Sequence, residues 1–489
     1  MKKYLPLLIL ALIALSGCNR EVSSPRIRMF PDYTDIAIPY NMAPLNFNVT
    51  CADRIELRAS NSSGQWRFNG RKGRMRFNQK KWKEMMLSSL GDTLTLSLTA
   101  ICEGHAVELE QFWWAVMPQP IDKYLSYRLI EPCYEVWNKL SIEERDLESF
   151  KTRRIADNSI TGSSCMNCHI SNRALEQTTF LHARGKDGGT IYRRGDVIRK
   201  IDTSTDSTDG PAVYGEISAD GRFGIFTTAR IRPILNSSAL GRLEVYDNSS
   251  DLILTDFEKN TISDSPLVKG SAFQETFPCW SAAGDRIYFC RAESLPQPDS
   301  TFQMRYNLYS IDFDSEQGWL GQDLRLELDA CSMGKSISFP KCSPDGTHLL
   351  MSVSDYGTFP IWHLETDLWM LDLQTGDIDR MEMTNGDYSD SYHCFSSSGR
   401  WVCWASKRDD RVYGRPYFAY VNEDGSCTKA FVLPQKDPES YNSTLKSYNI
   451  PELYQNKESY GPWDVREAYR KTECEKMQYV SVQQEPVLK

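Results

Sequence analysis

"FPKCSPDGTHLLM", residues 339–351, is the stretch on which the fold turns. Three other segments align with it without gaps: "YGEISADGRFGIF" from Tyr214, "FPCWSAAGDRIYF" from Phe277 and "YHCFSSSGRWVCW" from Tyr392. Each opens on an aromatic residue, places serine fifth (Ser218, Ser281, Ser343, Ser396) and glycine eighth (Gly221, Gly284, Gly346, Gly399), and then enters an apolar run. A serine hydroxyl can hold a nearby backbone amide, and glycine supplies the positive φ that closes a tight turn, so the pattern spells strand, turn, strand. A second strand and polar turn follow each segment, in "DLILTDFEKNTI", "YNLYSIDFDSEQG", "TDLWMLDLQTGDI" and "PYFAYVNEDGSCT".

Four strands per unit, recurring every 53 to 63 residues, is the requirement of a β-propeller blade, which buries its faces only by stacking on its neighbours. "FPKCSPDGTHLLM", and "SKRDD" followed by "PYFAYV", resemble the repeats of TolB-like β-propellers over residues 190–435. "TIYRRGDVIRKIDTST", from Thr190, resembles the second half of a further blade whose first half is missing there. A strand borrowed from elsewhere in the chain could complete it, so the ring has five or six blades.

The fold class expected is therefore all-β dominated: a propeller preceded by an N-terminal β-sandwich and a short helical segment. Residues 25–120 alternate apolar and polar positions in "IELRAS", "TLTLSLTAI" and "VELEQFWWAV" between Gly, Asn and Asp turns, the signature of a small sandwich. In residues 121–189, "IDKYLSYRLIEPCYEVWNKL" puts Leu125, Leu129 and Cys133 on one helical face, with Pro132 dividing it. Ser141 and Glu144 then stand in capping-box spacing for a second helix. The tail, residues 436–489, is rich in Tyr, Ser, Asn and Pro and either packs on the propeller or is disordered.

At the start of the chain, Lys2 and Lys3 precede an apolar run ending in "LSGC" at Cys18. This is a signal peptide, and it resembles a bacterial lipoprotein leader. The resemblance implies acylation of Cys18 and a mature chain tethered in the cell envelope of a Gram-negative bacterium, periplasmic or outer-membrane. Acidic residues outnumber basic ones, 65 to 56, with no long basic run, which argues against nucleic acid as a partner.

One motif carries chemistry: "CMNCH", residues 165–169. Cysteines at i and i+3 sit about one helical turn apart and can both reach one haem edge. The motif resembles the attachment site of c-type cytochromes, which implies one covalent haem c, with Cys165 and Cys168 as thioether anchors and His169 as the proximal ligand. No methionine follows until Met304, so the sixth ligand is either His182, which lies thirteen residues on, or another group. A zinc site would want a second ligand pair, an iron–sulfur cluster nearby cysteines, and a thioredoxin-like pair a βαβ setting; the sequence offers none of these. His105, His348, His363 and His393 read as structural or surface residues. Of fourteen cysteines, the eleven besides Cys18, Cys165 and Cys168 have no regular spacing, and no disulfide framework follows.

Two functions are consistent with this pattern. One is a monohaem electron carrier working with a redox protein partner. The other is an envelope protein-binding scaffold whose haem is structural or sensory. A hydrolase is disfavoured, because there is no G-x-S-x-G elbow and too little chain follows the last repeat for an α/β-hydrolase domain.

Overall fold

The computed structural model describes residues 27–131, 139–172, 177–235, 243–471 and 473–481. The leader, Cys18 and Cys133 lie outside the described residues. Six sheets form the blades of a β-propeller, and an eight-stranded sheet lies beside them. Blades 4, 5 and 6 each take four consecutive strands, beginning at Phe273–Trp280, Ser336–Cys342 and Asp390–Phe395. Blade 2 runs from Met166–Ser171 to Val197–Asp202, and blade 3 from Ala212–Ile217 to Thr261–Ser263.

The repeat owes its residues to the turn it builds. In all four segments the serine amide donates to the carbonyl five residues on at 2.7–2.8 Å, and the glycine amide donates to the serine carbonyl at 2.9–3.0 Å. The amide five residues on returns a bond to the serine Oγ at 2.9–3.1 Å. The four glycines adopt φ of 70–74°, where a Cβ would be strained. Strands beyond the turn are buried on both faces, as in His348–Ser354 and Trp401–Ser406, because each blade is covered by two neighbours.

Blade 1 joins distant parts of the chain. Tyr124–Ile130, Leu140–Asp146 and Thr152–Asp157 supply three strands, and Ser447–Tyr454 pairs antiparallel with the first of them, Tyr448 opposite Leu129. The tail then adds Glu475–Lys476 to the outer edge of blade 2 and Gln478–Tyr479 to that of blade 3, both in parallel.

Among the described residues of 121–189, strands and one short 3-10 turn, Asn158–Thr161, stand where the two helices are expected. Leu125 and Leu129 satisfy a helical spacing, but residues 125–128 are all buried, which only a strand enclosed on both faces allows. Ser141 and Glu144 cap nothing; Ser141 Oγ donates to Glu143 at 2.9 Å, and Glu144 pairs with Arg153.

The N-terminal region is one curled sheet rather than a sandwich. Thr93–Cys102 buries alternate residues, as the sequence pattern demands, but the buried face meets the helix Gln79–Ser88, through Trp82, Met85 and Met86, and the propeller. Trp82 Nε1 donates to Met42 O at 2.9 Å. Tyr33 OH reaches Val432 O at 3.3 Å, and Trp401 Nε1 donates to Gln119 O at 3.0 Å, fixing this sheet to blade 6.

Candidate ligand cavity on the propeller axis

The strand of each blade nearest the axis breaks its ladder at one point. Five such breaks carry a non-glycine residue at positive φ: Tyr214 (42°), Phe277 (52°), Phe339 (52°), Tyr392 (53°) and Ile450 (50°). This backbone conformation is unfavourable for side chains of this kind. It is offset by turning the rings into one another on the axis, where aromatic pairs gain beyond their buried area. Phe277 and Phe339 stack at 3.8 Å, Tyr214 meets Phe277 at 5.3 Å, and Phe339 meets Tyr392 at 5.0 Å. Phe359 closes the cluster, 5.6 Å from Tyr214. The aromatic that opens each repeat is thus a plug for the channel.

One end of the axis is covered by the long hairpin of blade 3, Phe223–Leu235 and Leu243–Asp256. Its Glu244 bonds His363 Nε2 at 3.0 Å and Tyr356 OH at 3.3 Å. Toward the Ser-x-x-Gly turns lies a cavity of about 340 Å³, based on the aromatic plug. Pro278, Pro340 and Pro451 follow three of the strained residues and wall it; they sit where the bulged strand has no ladder bond to lose.

Few charges enter this space. Lys341 Nζ pairs with Glu216 Oε1, and Glu216 Oε2 accepts the Trp280 amide at 3.0 Å. Burial pulls the Lys341 ammonium down, but Glu216 and Glu452 outweigh it and hold its pKa above the ordinary value. Glu452 Oε2 accepts the Ser171 amide at 3.3 Å. His169 lines the wall at 6 % exposure, with Nε2 3.2 Å from Ser126 Oγ and no partner for Nδ1. Burial, with Arg128 adding to it, pushes His169 down to about 3, so the ring is neutral at physiological pH. His393, also at the wall, is held by Leu350 O at 2.9 Å and pushed down to about 3 by burial.

The pentad is therefore not a helical turn but the axial strand of blade 2. The Cys165 carbonyl accepts from Arg184 N, while His169 stands opposite Leu181. Three residues of the partner strand separate them, roughly 10 Å, where a helical turn brings i and i+4 to about 5–6 Å. Cys165 is buried and does not line the cavity that His169 lines. His182 stands opposite Cys168, one register position from Leu181, so His169 and His182 face opposite sides of the sheet. His182 Nδ1 instead meets Thr190 Oγ1 at 3.1 Å, and burial pushes it down to about 4. As folded here, Cys165, His169 and His182 do not converge on a single haem.

The fold and site define a six-bladed β-propeller with an axial cavity. No family model matches the chain, and no curated protein matches it. Among solved structures it is similar to a DUF4784 family protein from Bacteroides caccae, at 8% identity and a TM-score of 0.32, covering 74% of this chain and 97% of that one. An oligogalacturonate lyase in complex with manganese shares 10% identity at a TM-score of 0.32, covering 64% and 86%. A putative dipeptidyl aminopeptidase IV from Bacteroides ovatus shares 9% at 0.28, covering 71% and 59%. Likenesses this distant carry no argument about activity.

Proposed function

We propose that the chain is an envelope-tethered binding propeller that takes a small molecule or a chain segment into its axial cavity. The observation that carries this reading is the chamber itself, about 340 Å³ on the axis, largely apolar, with Lys341, Glu216 and Glu452 as the few charged groups that converge on its wall. The ligand expected is an apolar body with a hydrogen-bonding group. An ammonium end would suit it, since Glu216 and Glu452 face Lys341 there. The likeness of the repeats to TolB-like propellers supports a protein-binding role, and the Cys18 leader supports tethering outside the cytoplasm.

Thermal-shift screening of the purified chain against short peptides with one apolar side chain and a free amino terminus tests the reading. Members that bind are expected to raise the unfolding midpoint, and Ala282→Trp, which fills the rim of the cavity, is expected to abolish the rise. No shift from any member, or a shift that survives Ala282→Trp, would remove the axial site.

A further inference from the structure

Blade 6 sets two cysteines face to face. In the pairing of Asp390–Phe395 with Trp401–Ser406, Cys394 stands directly opposite Cys403. Opposed residues of an antiparallel pair share one face of the sheet, with Cα atoms about 4.5–5.5 Å apart, inside the 4.4–6.8 Å that disulfides span. Both residues are buried, at 5 % and 0 % exposure, and Cys394 lines the axial cavity. Among the described residues no other cysteine has a cysteine as its strand partner: Cys279 faces Tyr288, Cys342 faces Leu349 and Cys102 faces His105.

We propose that Cys394 and Cys403 close into a cross-strand disulfide when the chain folds in an oxidising compartment, a setting that rests on the export reading of the leader. The oxidant is a disulfide, borne by a protein or a small molecule. One cysteine thiolate attacks it and expels a thiolate. The second cysteine then attacks the mixed disulfide and expels the other. The two cysteines lose two electrons and two protons, and the oxidant leaves as two thiols. Exchange needs a thiolate, and burial pushes the Cys403 thiol well above its ordinary range. The bond therefore forms while blade 6 is still open and is shielded from reductants once the ring is complete. It ties the axial strand of blade 6 to its neighbour beside His393, stiffening that wall of the cavity.

The test separates the bond from the question of location. The purified full chain is refolded in a mixture of oxidised and reduced glutathione, blocked with an alkylating agent and digested with trypsin, which cuts at Arg400 between the two cysteines. Most folded molecules are expected to yield the peptide of Cys394 joined to that of Cys403, with the link absent after refolding in excess reductant. Recovery of both residues alkylated from folded protein, or Cys394 joined elsewhere, would overturn the proposal. If the link forms on refolding but chain isolated from the cells that make it lacks the link, the export reading fails and the disulfide site stands. Chain folded under reductant and then given oxidised glutathione is expected to close the pair roughly ten-fold or more slowly than exposed Cys51 and Cys331 react. Equal rates would overturn closure during folding.

Discussion

Replacing the repeat serines one at a time by alanine tests whether the hydroxyl, and not the glycine alone, holds each hairpin. Every substitution removes the acceptor of the amide five residues on, Phe223 N, Arg286 N, His348 N or Trp401 N, and at Ser281 that of the exposed Asp285 N as well. The loss depends on whether water can take the vacated place. At Ser396 it cannot, since both Ser396 and Trp401 are fully enclosed. The stranded amide there is expected to cost about 2–3 kcal/mol, the upper range for a buried unsatisfied donor. Ser281 is partly exposed, as is Arg286, so Ser281→Ala is expected to cost about 0.5–1 kcal/mol, the net worth of a replaceable bond. Ser343 and Ser218 fall between. The span of about 2 kcal/mol corresponds to roughly thirty-fold in the folding equilibrium, well within the reach of urea unfolding followed by tryptophan fluorescence. Ser281→Thr, which keeps the oxygen where there is room, is expected to hold wild-type stability. Equal losses at the four sites, or the largest at Ser281, would refute the reasoning and leave the turns to their glycines.

The buried titratable groups set a pH profile. His169, His182 and His393 have ordinary values near 6.5 and folded values of about 3, 4 and 3; what they contribute is complete above pH 6.5 and is lost as pH falls toward 4. Burial raises Asp247 to about 7, Glu275 to about 8 and Glu458 to about 7, so their contribution is complete below the unfolded carboxylate range and is lost as pH rises to 8. The two slopes oppose one another below 6.5, and only the carboxyl slope remains above it. Unfolding midpoints are thus expected to fall from pH 6.5 to 8, and Asp247→Asn with Glu275→Gln to flatten the fall; a rise over that range would contradict the assignment. Ending the chain after residue 446 removes the axial strand of blade 1 and is expected to abolish soluble, monodisperse protein in gel filtration, whereas ending it after residue 473 removes two edge strands and is expected to leave the ring folded. Chain matured alongside haem-attachment machinery is expected to show no haem absorption after denaturation; a covalent adduct would mean that the pentad leaves the strand paired to Thr178–Ala183.

The propeller was legible where a blade is closed by its own serine and glycine. Blades 3 to 6 carry that turn and could be aligned by eye. Blade 1 turns from Asp146 to Lys151 through "DLESFK", which has no glycine and does not repeat the Ser-x-x-Gly spacing, so its strands were hidden and Leu125 and Leu129 passed for a helix. The strand at "CMNCH" was hidden for a related reason: what extends it is its pairing with Thr178–Ala183 further along the chain. The cavity was half visible. The opening aromatics stood out, but their left-handed backbone did not, and the Lys341–Glu216 pair joins residues 125 positions apart with no local signal. The Cys394–Cys403 pairing was likewise unreadable until the register of blade 6 was known.

The composite make-up of blade 1 bears on how the chain matures. Blades 2 to 6 can be laid down in order as the polypeptide emerges, yet three strands near Tyr124 must wait, without their innermost companion, for Ser447–Tyr454 to arrive. Until that strand arrives the nascent ring is a gapped arc. The axial chamber, whose wall includes Ile450 to Tyr454, comes into being only with the final tenth of synthesis, so prematurely terminated products lack it.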